Sequence, residues 1–333
     1  MIEWVEFQNF KALRNATLPL SQFTLIVGPN GSGKSTALNA LLALRQPAHR
    51  NFNQTLTVGR PDAETVALVA KWGEKQNDYL VKVEWKRTGH STPALQRTAE
   101  NRLGKPEQIH KALTGTRIFS LEANAIAKPV VLKPQLELQP SGENLAGVLD
   151  LLRDQNPERF EALNQVVSRL IPEYDRILFA TQGAGQRSFA LRTVEGRHPI
   201  SAQNLSQGTL MALALLTIAY LPAPPSIVCL EEPDHGLHPR LLRDVRDALY
   251  RLAYPEGAHE KREPVQVIAT THNPYFLDLF REHPEQIVIA EKVGLEAKFS
   301  RLSDRADLEE ILGDAPLSEV WYSGVLGGVP AGT

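Results

Sequence analysis

F-T-L-I-V-G-P-N-G-S-G-K-S-T-A-L-N-A-L-L-A-L, residues 23–44, decides how the rest of the chain is read. Phe23 to Val27 is an apolar, β-branched run of strand length. Gly28 to Ser35 matches G-x-x-x-x-G-K-[ST], and Thr36 to Leu44 reads as a helix of Ala and Leu. Glycines there let backbone N–H groups turn inward around phosphate oxygens, and the following helix adds its positive end. In that arrangement Lys34 stands against the β and γ phosphates of a nucleotide, and Ser35 offers its hydroxyl to Mg²⁺. Asn30, Gly31, Ser32, Gly33 and Thr36 complete the predicted cradle. By composition the bare pattern arises in roughly one chain of this length per hundred. The flanking strand and helix make a mere glycine turn with a solvated lysine a poor alternative.

The chain of 333 residues has room for one large domain or two modest ones. Its 38 acidic and 36 basic residues nearly cancel, so contact with nucleic acid or a membrane requires a local patch. One cysteine, Cys229, excludes an internal disulfide framework and a Cys-cluster zinc site; inside I-V-C-L it reads as a small buried hydrophobe. The start M-I-E-W-V-E-F-Q-N-F lacks a basic segment followed by an apolar core. The longest apolar stretch, Leu210 to Leu221, is too short for a bilayer and stops at Pro222. These features predict a cytoplasmic protein without a membrane partner.

Outward from the phosphate loop, residues 2–10 alternate like a strand. T-V-A-L-V-A-K-W, Y-L-V-K-V-E-W and a weaker T-P-A-L-Q-R-T follow between about 55 and 99 and predict an antiparallel meander. Residues 143–171 switch to helical period, with Pro157 in a first turn capped by Asn156. Strands are predicted at Arg176–Thr181 and Ser188–Val194. Then I-V-C-L, a helix Leu241–Leu252, V-Q-V-I-A-T-T, a helix Pro274–Phe280 and Q-I-V-I-A-E-K alternate, which predicts an α/β fold with a mostly parallel core sheet. The expected organisation is a single domain: lobe I about 1–120, a short helical insertion about 121–175, lobe II about 176–303, and a C-terminal helix and tail over 304–333. Asp304 to Glu319 reads as an exposed helix capped by Ser303.

S-I-V-C-L-E-E-P-D-H-G-L-H-P, residues 226–239, tips a buried strand with two carboxylates. Adjacent like charges at a strand end are costly without a cation. Glu231 is therefore assigned to Mg²⁺, directly or through water, and Glu232 to polarising the attacking water. V-I-A-T-T-H-N-P, residues 267–274, delivers His272 from another apolar strand, where it can hydrogen-bond the γ-phosphate or the water. Alone, such a histidine is more often structural. L-S-Q-G, residues 205–208, opens an apolar helix; by itself Ser206 is equally well a simple N-cap.

Together these motifs resemble those of ABC-type ATPases. L-S-Q-G resembles their LSxG signature, E-E-P-D-H-G-L-H-P their strand-end carboxylates and D-loop, and His272 their switch histidine. The E-E-P, L-H-P and T-H-N-P forms and the start F-Q-N-F-K-A-L-R-N-A are similar to the RecF/SMC-like and OLD-like branch. S-G-E-N-L-A-G-V-L near 141 and W-Y-S-G-V-L-G-G-V-P near the end resemble stand-alone predicted ATPases of that branch. The resemblance implies an ABC-type P-loop head and a two-fold homodimer that traps two ATP molecules. Ser206, Gln207 and Gly208 of one subunit would then face the γ-phosphate held by the other. It also places Lys11, with Arg14, near the base or phosphates, though a surface basic pair suits them as well. Glu231 stands where many relatives have Asp, and His238 where transporters have a D-loop Asp. No clear glutamine loop is found; Glu122 or Asn124 is its stand-in.

The resemblance further implies slow, partner-regulated ATP hydrolysis in DNA repair or anti-phage defence, controlling a separate nuclease-like effector. The chain ends soon after the ATPase core, so no intrinsic nuclease domain is expected. Residues 85–105 carry five Lys or Arg against one Glu, suiting either a DNA backbone or a solvated loop. The alternatives are a transporter ATPase subunit, against which E-E-P and L-H-P argue, and a nucleotide-dependent sensor with negligible turnover.

Overall fold

Apolar runs uninterrupted by polar residues become strands buried on both faces, and alternating runs become strands with one face in the core. The chain contains both kinds. The computed structural model describes residues 1–45, 55–56, 63–74, 77–86, 96–98, 106–294, 296–313 and 315–326. In chain order the first elements are β1 (Ile2–Phe10), β2 (Leu13–Pro19), β3 (Phe23–Val27), α1 (Lys34–Arg45), β4 (Thr65–Glu74), β5 (Asn77–Lys86), β6 (Gln96–Thr98), α2 (Pro106–Thr114) and β7 (Thr116–Phe119). There follow α3 (Ala123–Ile126), β8 (Val130–Val131), α4 (Leu145–Gln155), α5 (Pro157–Leu170), β9 (Tyr174–Gln182), β10 (Gln186–Thr193), β11 (Pro199–Ser201) and α6 (Gln207–Tyr220). The last are β12 (Ile227–Glu231), α7 (Pro239–Ala253), β13 (Gln266–Thr271), α8 (Pro274–Asp278), β14 (Ile287–Val293), β15 (Glu296–Arg301), α9 (Leu308–Ile311) and α10 (Leu317–Tyr322).

These elements form two units. One contains Met1–Ile118, Pro225–Cys229 and Val265–Thr333; the other contains Phe119–Pro224 and Leu230–Pro264. Residues 176–303, read from the sequence as one lobe, are shared between them. Strands β13 and β14 pair with β3 in the first unit, whereas α6 and α7 pack on each other in the second.

In the first unit a six-stranded sheet runs β15-β14-β3-β13-β12-β7. Both neighbours of β3 are parallel to it, and β15 returns antiparallel on β14. Every residue of β3 and β13 is buried, which is why both read as unbroken apolar runs. The expected meander is present as a five-stranded sheet, β2-β1-β4-β5-β6, paired antiparallel throughout. Its inward residues, Ile2, Val5, Phe7, Phe10 and Trp85 among them, share one core with α1, Ile26, Ile268 and Val288. Gln266 staples the two sheets: its side chain accepts from Ile2 N–H at 2.9 Å and donates to Ile2 O at 2.7 Å and Ser21 O at 3.1 Å.

The second unit has a smaller antiparallel sheet in which β10 pairs with β9, β11 and β8. Helix α5 covers it through Phe160, 5.8 Å between ring centroids from Phe179. Helix α6 is buried from Thr209 to Tyr220 on every side, the mark of a core helix.

Two local expectations need correction. Asn156 occupies the N-cap of α5 but its side chain makes no cap bond; Pro157 starts the helix instead. The single helix expected from Asp304 to Glu319 is broken into a 3₁₀ turn at Leu302–Asp304 and the short α9 and α10. Gly313 and Pro316 interrupt the helical pattern, Pro316 standing at the N-cap of α10, and the Arg281 guanidinium donates to the carbonyls of Leu312, Gly313 and Ala315 left free there. Trp321 and Leu326 of the tail are buried; residues 327–333 lie outside the described residues.

Replacing Gln266 by Leu leaves the buried Ile2 N–H and C=O unpaired, so unfolding free energy should fall by about 2–4 kcal/mol in denaturant titration. Glu260 is ringed by Arg262 at 2.6 Å, Arg159 at 3.8 Å and Arg251. Burial pushes its carboxyl up, but the Arg262 hydrogen bond and the three arginine charges outweigh burial and hold it below the ordinary 4.5. Its stabilisation is therefore present above pH 4.5 and lost as pH falls below it. Glu260→Gln should weaken the protein at neutral pH and flatten the acid side of its stability curve.

Candidate active site

Val27, the last residue of β3, pairs with Thr271 of β13 on one side and Ile289 of β14 on the other. Two departures from the sheet thus stand side by side: Gly28, which opens the phosphate loop, and His272, which follows Thr271. Ligands of open α/β sheets bind at such strand ends. Packing dictates glycine at 28, since a Cβ would collide with the carbonyl oxygen of Ala290 on β14. Gly33 has φ +95°, and a Cβ there would lie 2.9 Å from Ala297 Cβ and 3.1 Å from Leu13 Cδ2. The loop is therefore moulded against the β1–β2 turn and the β14–β15 hairpin.

Lys34 begins α1, two residues earlier than the sequence suggests, and is 6% exposed. Its Nζ donates to Gly28 O at 2.6 Å and Pro29 O at 3.0 Å, so the ammonium lies within the arc of the loop. Ser32 is fully buried, and among the described residues its hydroxyl has no hydrogen-bond partner. Asn30, Gly31 and Ser35 are exposed and Thr36 is half-buried. A buried cation and a buried hydroxyl beside a helix N-terminus fit a polyanion such as a nucleoside triphosphate.

Lys11 lies in the β1–β2 turn at φ +51°, and its N–H donates to Thr55 O at 2.9 Å. Leu13, two positions on, packs against Gly33, its Cδ2 3.1 Å from where a Cβ would stand, which brings the turn to the loop. Arg14 pairs with Glu296 of β15 at 3.6 Å. His272 is exposed and presented by its neighbours: Asn273 N–H donates to Thr271 Oγ1 at 2.9 Å, and Asn273 Oδ1 accepts from Tyr275 N–H at 3.0 Å, capping α8. The T-H-N-P sequence is thus an anchor on each side of the histidine, with Pro274 in the first turn.

In the second unit Glu231 is the final residue of β12, and Glu232 adopts φ +44°. A non-glycine residue in that region costs roughly 1–2 kcal/mol. The turn is closed by His235 N–H to Glu232 O at 2.9 Å and Leu237 N–H to Asp234 O at 3.2 Å, over buried Pro233 and Asp234. Ser206 is the N-cap of α6: its Oγ accepts from Thr209 N–H at 3.1 Å. Ser206 and Gln207 are exposed and Gly208 half-buried, so capping and presentation of this corner to a ligand are compatible. His238 caps α7 by accepting from Arg240 N–H at 3.2 Å through Nδ1. Glu122 holds the N-cap position of α3 and Asn124 lies within that helix, both exposed.

Sequence reasoning passed over Asp234, which is buried, and Gly236, whose φ is +73°. A glycine after Asp-His is a readable turn signal. Of residues 85–105, Trp85 belongs to the core and Gln96–Thr98 form β6; residues 87–95 and 99–105 lie outside the described residues. Among the described residues no cluster of three His, Cys, Asp or Glu gathers to hold a metal, and no helix is long and apolar enough to cross a membrane.

A phosphate loop after the central strand, with a histidine ending the adjacent parallel strand, defines the class as an α/β P-loop ATPase head of the ABC type. Residues 84–278, more than half of the chain, match the family model described as "AAA domain, putative AbiEii toxin, Type IV TA system", and the chain belongs to that family. Residues 1–90 match an AAA ATPase domain. The chain is 23% identical over 361 residues to the OLD nuclease of Thermus scotoductus, spanning 93% of itself and 66% of that protein. Its fold is similar to the SMC head solved with the C-winged helix domain of ScpA, with TM-score 0.62 and 16% identity over 90% of this chain and 96% of that one. The SMC head domain from Thermotoga maritima gives TM-score 0.52 and 17% identity over 90% and 98%. The solved structures share the fold of an ABC-type ATPase head, and the OLD nuclease is a distant relative in sequence.

Lys34→Ala should weaken nucleotide binding by about a hundredfold or more, as loss of a charge-assisted contact to phosphate requires. Fluorescent-nucleotide titration on protein of native circular dichroism measures it; wild-type affinity would remove Lys34 from the site.

Proposed function

We propose that the chain is an ATP-binding and hydrolysing dimeric switch that controls a separate effector, in DNA repair or in anti-phage defence. The observation that carries this reading is the pairing of Val27 with Thr271, which sets the phosphate loop and His272 at neighbouring strand ends. Lys34 and the loop N–H groups hold the β and γ phosphates. Ser35 and Glu231 hold Mg²⁺, which when bound neutralises charge on the phosphate oxygens. Glu232 orients and polarises the attacking water, and His272 hydrogen-bonds the γ-phosphate or that water. Lys11, beside the loop, approaches the base or phosphates. Ser206, Gln207 and Gly208 roof the nucleotide of a second copy, giving two sites about a two-fold axis.

The family's description as a toxin of a type IV system and the likeness to an OLD nuclease support the defence reading over a transporter subunit. Turnover in this reading is slow and tied to dimer closure, so that binding energy becomes conformational change. The nuclease-like effector and any DNA contact belong to the same proposal. The competing reading is a sensor that binds ATP without turning it over; the strained backbone of Glu232 favours a chemical role, because strain persists where position matters.

With Glu232→Gln, phosphate release should fall by about 10²–10⁴-fold while ATP-bound dimers accumulate in light scattering. Unchanged release eliminates Glu232 as the base. An ATP-saturated variant that stays monomeric eliminates the two-fold arrangement.

A further inference from the structure

Within the first unit the strand order gives the site a direction. In the sheet β15-β14-β3-β13-β12-β7 the phosphate loop leaves β3 with β13 and His272 on one side, and β14 with β15 on the other. With His272 at the γ-phosphate, a nucleotide held by Lys34 points its terminal phosphate toward β13 and its nucleoside toward β14 and β15. Ala297 Cβ and Leu13 Cδ2 stand 2.9 and 3.1 Å from where a Cβ of Gly33 would lie. Ala297 N–H donates to Ala12 O at 3.4 Å, which ties β15 to the β1–β2 turn. Their chain neighbours Glu296 and Arg14 are half-buried and pair with each other at 3.6 Å. That separation is an ion pair, longer than the roughly 2.7–2.9 Å of a charge-assisted hydrogen bond. Among the described residues Arg14 Nε is buried and without a hydrogen-bond partner. The pair therefore has unused capacity on the nucleoside side of the loop.

A carboxylate only accepts, so it repels phosphate and seeks a donor. Of a nucleotide's donors, the ribose hydroxyls are the nearest to its phosphates. Glu296 and Arg14 each stand one residue, about 3.8 Å between Cα atoms, from a residue packed on the loop. We propose that Glu296 accepts hydrogen bonds from the ribose hydroxyls of the bound nucleotide, and that Arg14 is the positioning residue that holds its carboxylate. The chain thereby selects ribonucleotides over deoxyribonucleotides. The inference rests on the reading of His272 at the γ-phosphate, which gives the nucleotide its direction.

Calorimetric titration of the full chain with ADP, 2′-deoxy-ADP and 3′-deoxy-ADP tests this without turnover. The wild type should bind at least one deoxy nucleotide about tenfold more weakly than ADP, the scale of one lost hydrogen bond to a charged group. Glu296→Ala should bring ADP down to the affinity of that analogue and leave the analogue unchanged. Arg14→Ala should narrow the preference, and Arg14→Lys should restore part of it. A wild type that binds all three alike overturns the proposal, as does a preference that survives Glu296→Ala. Equal weakening of ADP and its deoxy forms makes the pair a brace between strands and overturns it too. If Glu296→Ala fails to fold, an unchanged preference in Arg14→Ala is the overturning result. A chain whose ADP affinity ignores Lys34→Ala rejects the phosphate-loop reading instead. A ribose preference lost in His272→Ala and kept in Glu296→Ala reverses the nucleotide, and with it the reading of His272.

Discussion

The approach of Gly28 to the carbonyl oxygen of Ala290 is the constraint on which the site depends. Any Cβ at position 28 would push the start of the phosphate loop off the end of β3, and with it Lys34, whose ammonium is held by the Gly28 and Pro29 carbonyls. Gly33, at the loop's other end, is pressed between Leu13 and Ala297. The loop's shape is thus imposed by segments near both ends of the chain. The local motif supplies conformational freedom; the fold around it selects one conformation.

Much of this frame was legible in the sequence because parallel strands buried on both faces leave unbroken apolar runs. Phe23–Val27, Ile227–Leu230 and Val267–Thr271 could hardly have been read otherwise. The meander was readable from alternation, and the phosphate loop and T-H-N-P from residues that act on their immediate neighbours. What escaped depends on partners distant in sequence. Gly313 and Pro316 mark the break between 304 and 319 in the sequence itself, but the capture of three carbonyls there by Arg281 has no sequence signal. The division into two units was hidden for the same reason, since successive strands and helices of one continuous alternation settle in different units. Gly236 was visible as a turn residue, but its contact with Gln207 was not.

The two residues assigned to the γ-phosphate end of the site are held in different ways. His272 is set by side chains on either side of it, the Thr271 hydroxyl and the Asn273 amide, each hydrogen bond worth about 1 kcal/mol and each local. The backbone of Glu232 adopts a conformation that costs a comparable amount, at the start of a turn closed by His235 N–H on its carbonyl oxygen. A residue anchored by its own neighbours resists influence from elsewhere. The place of the histidine is therefore kept by bonds within its own tetrapeptide, and the backbone of Glu232 lies in a turn closed as far as Leu237.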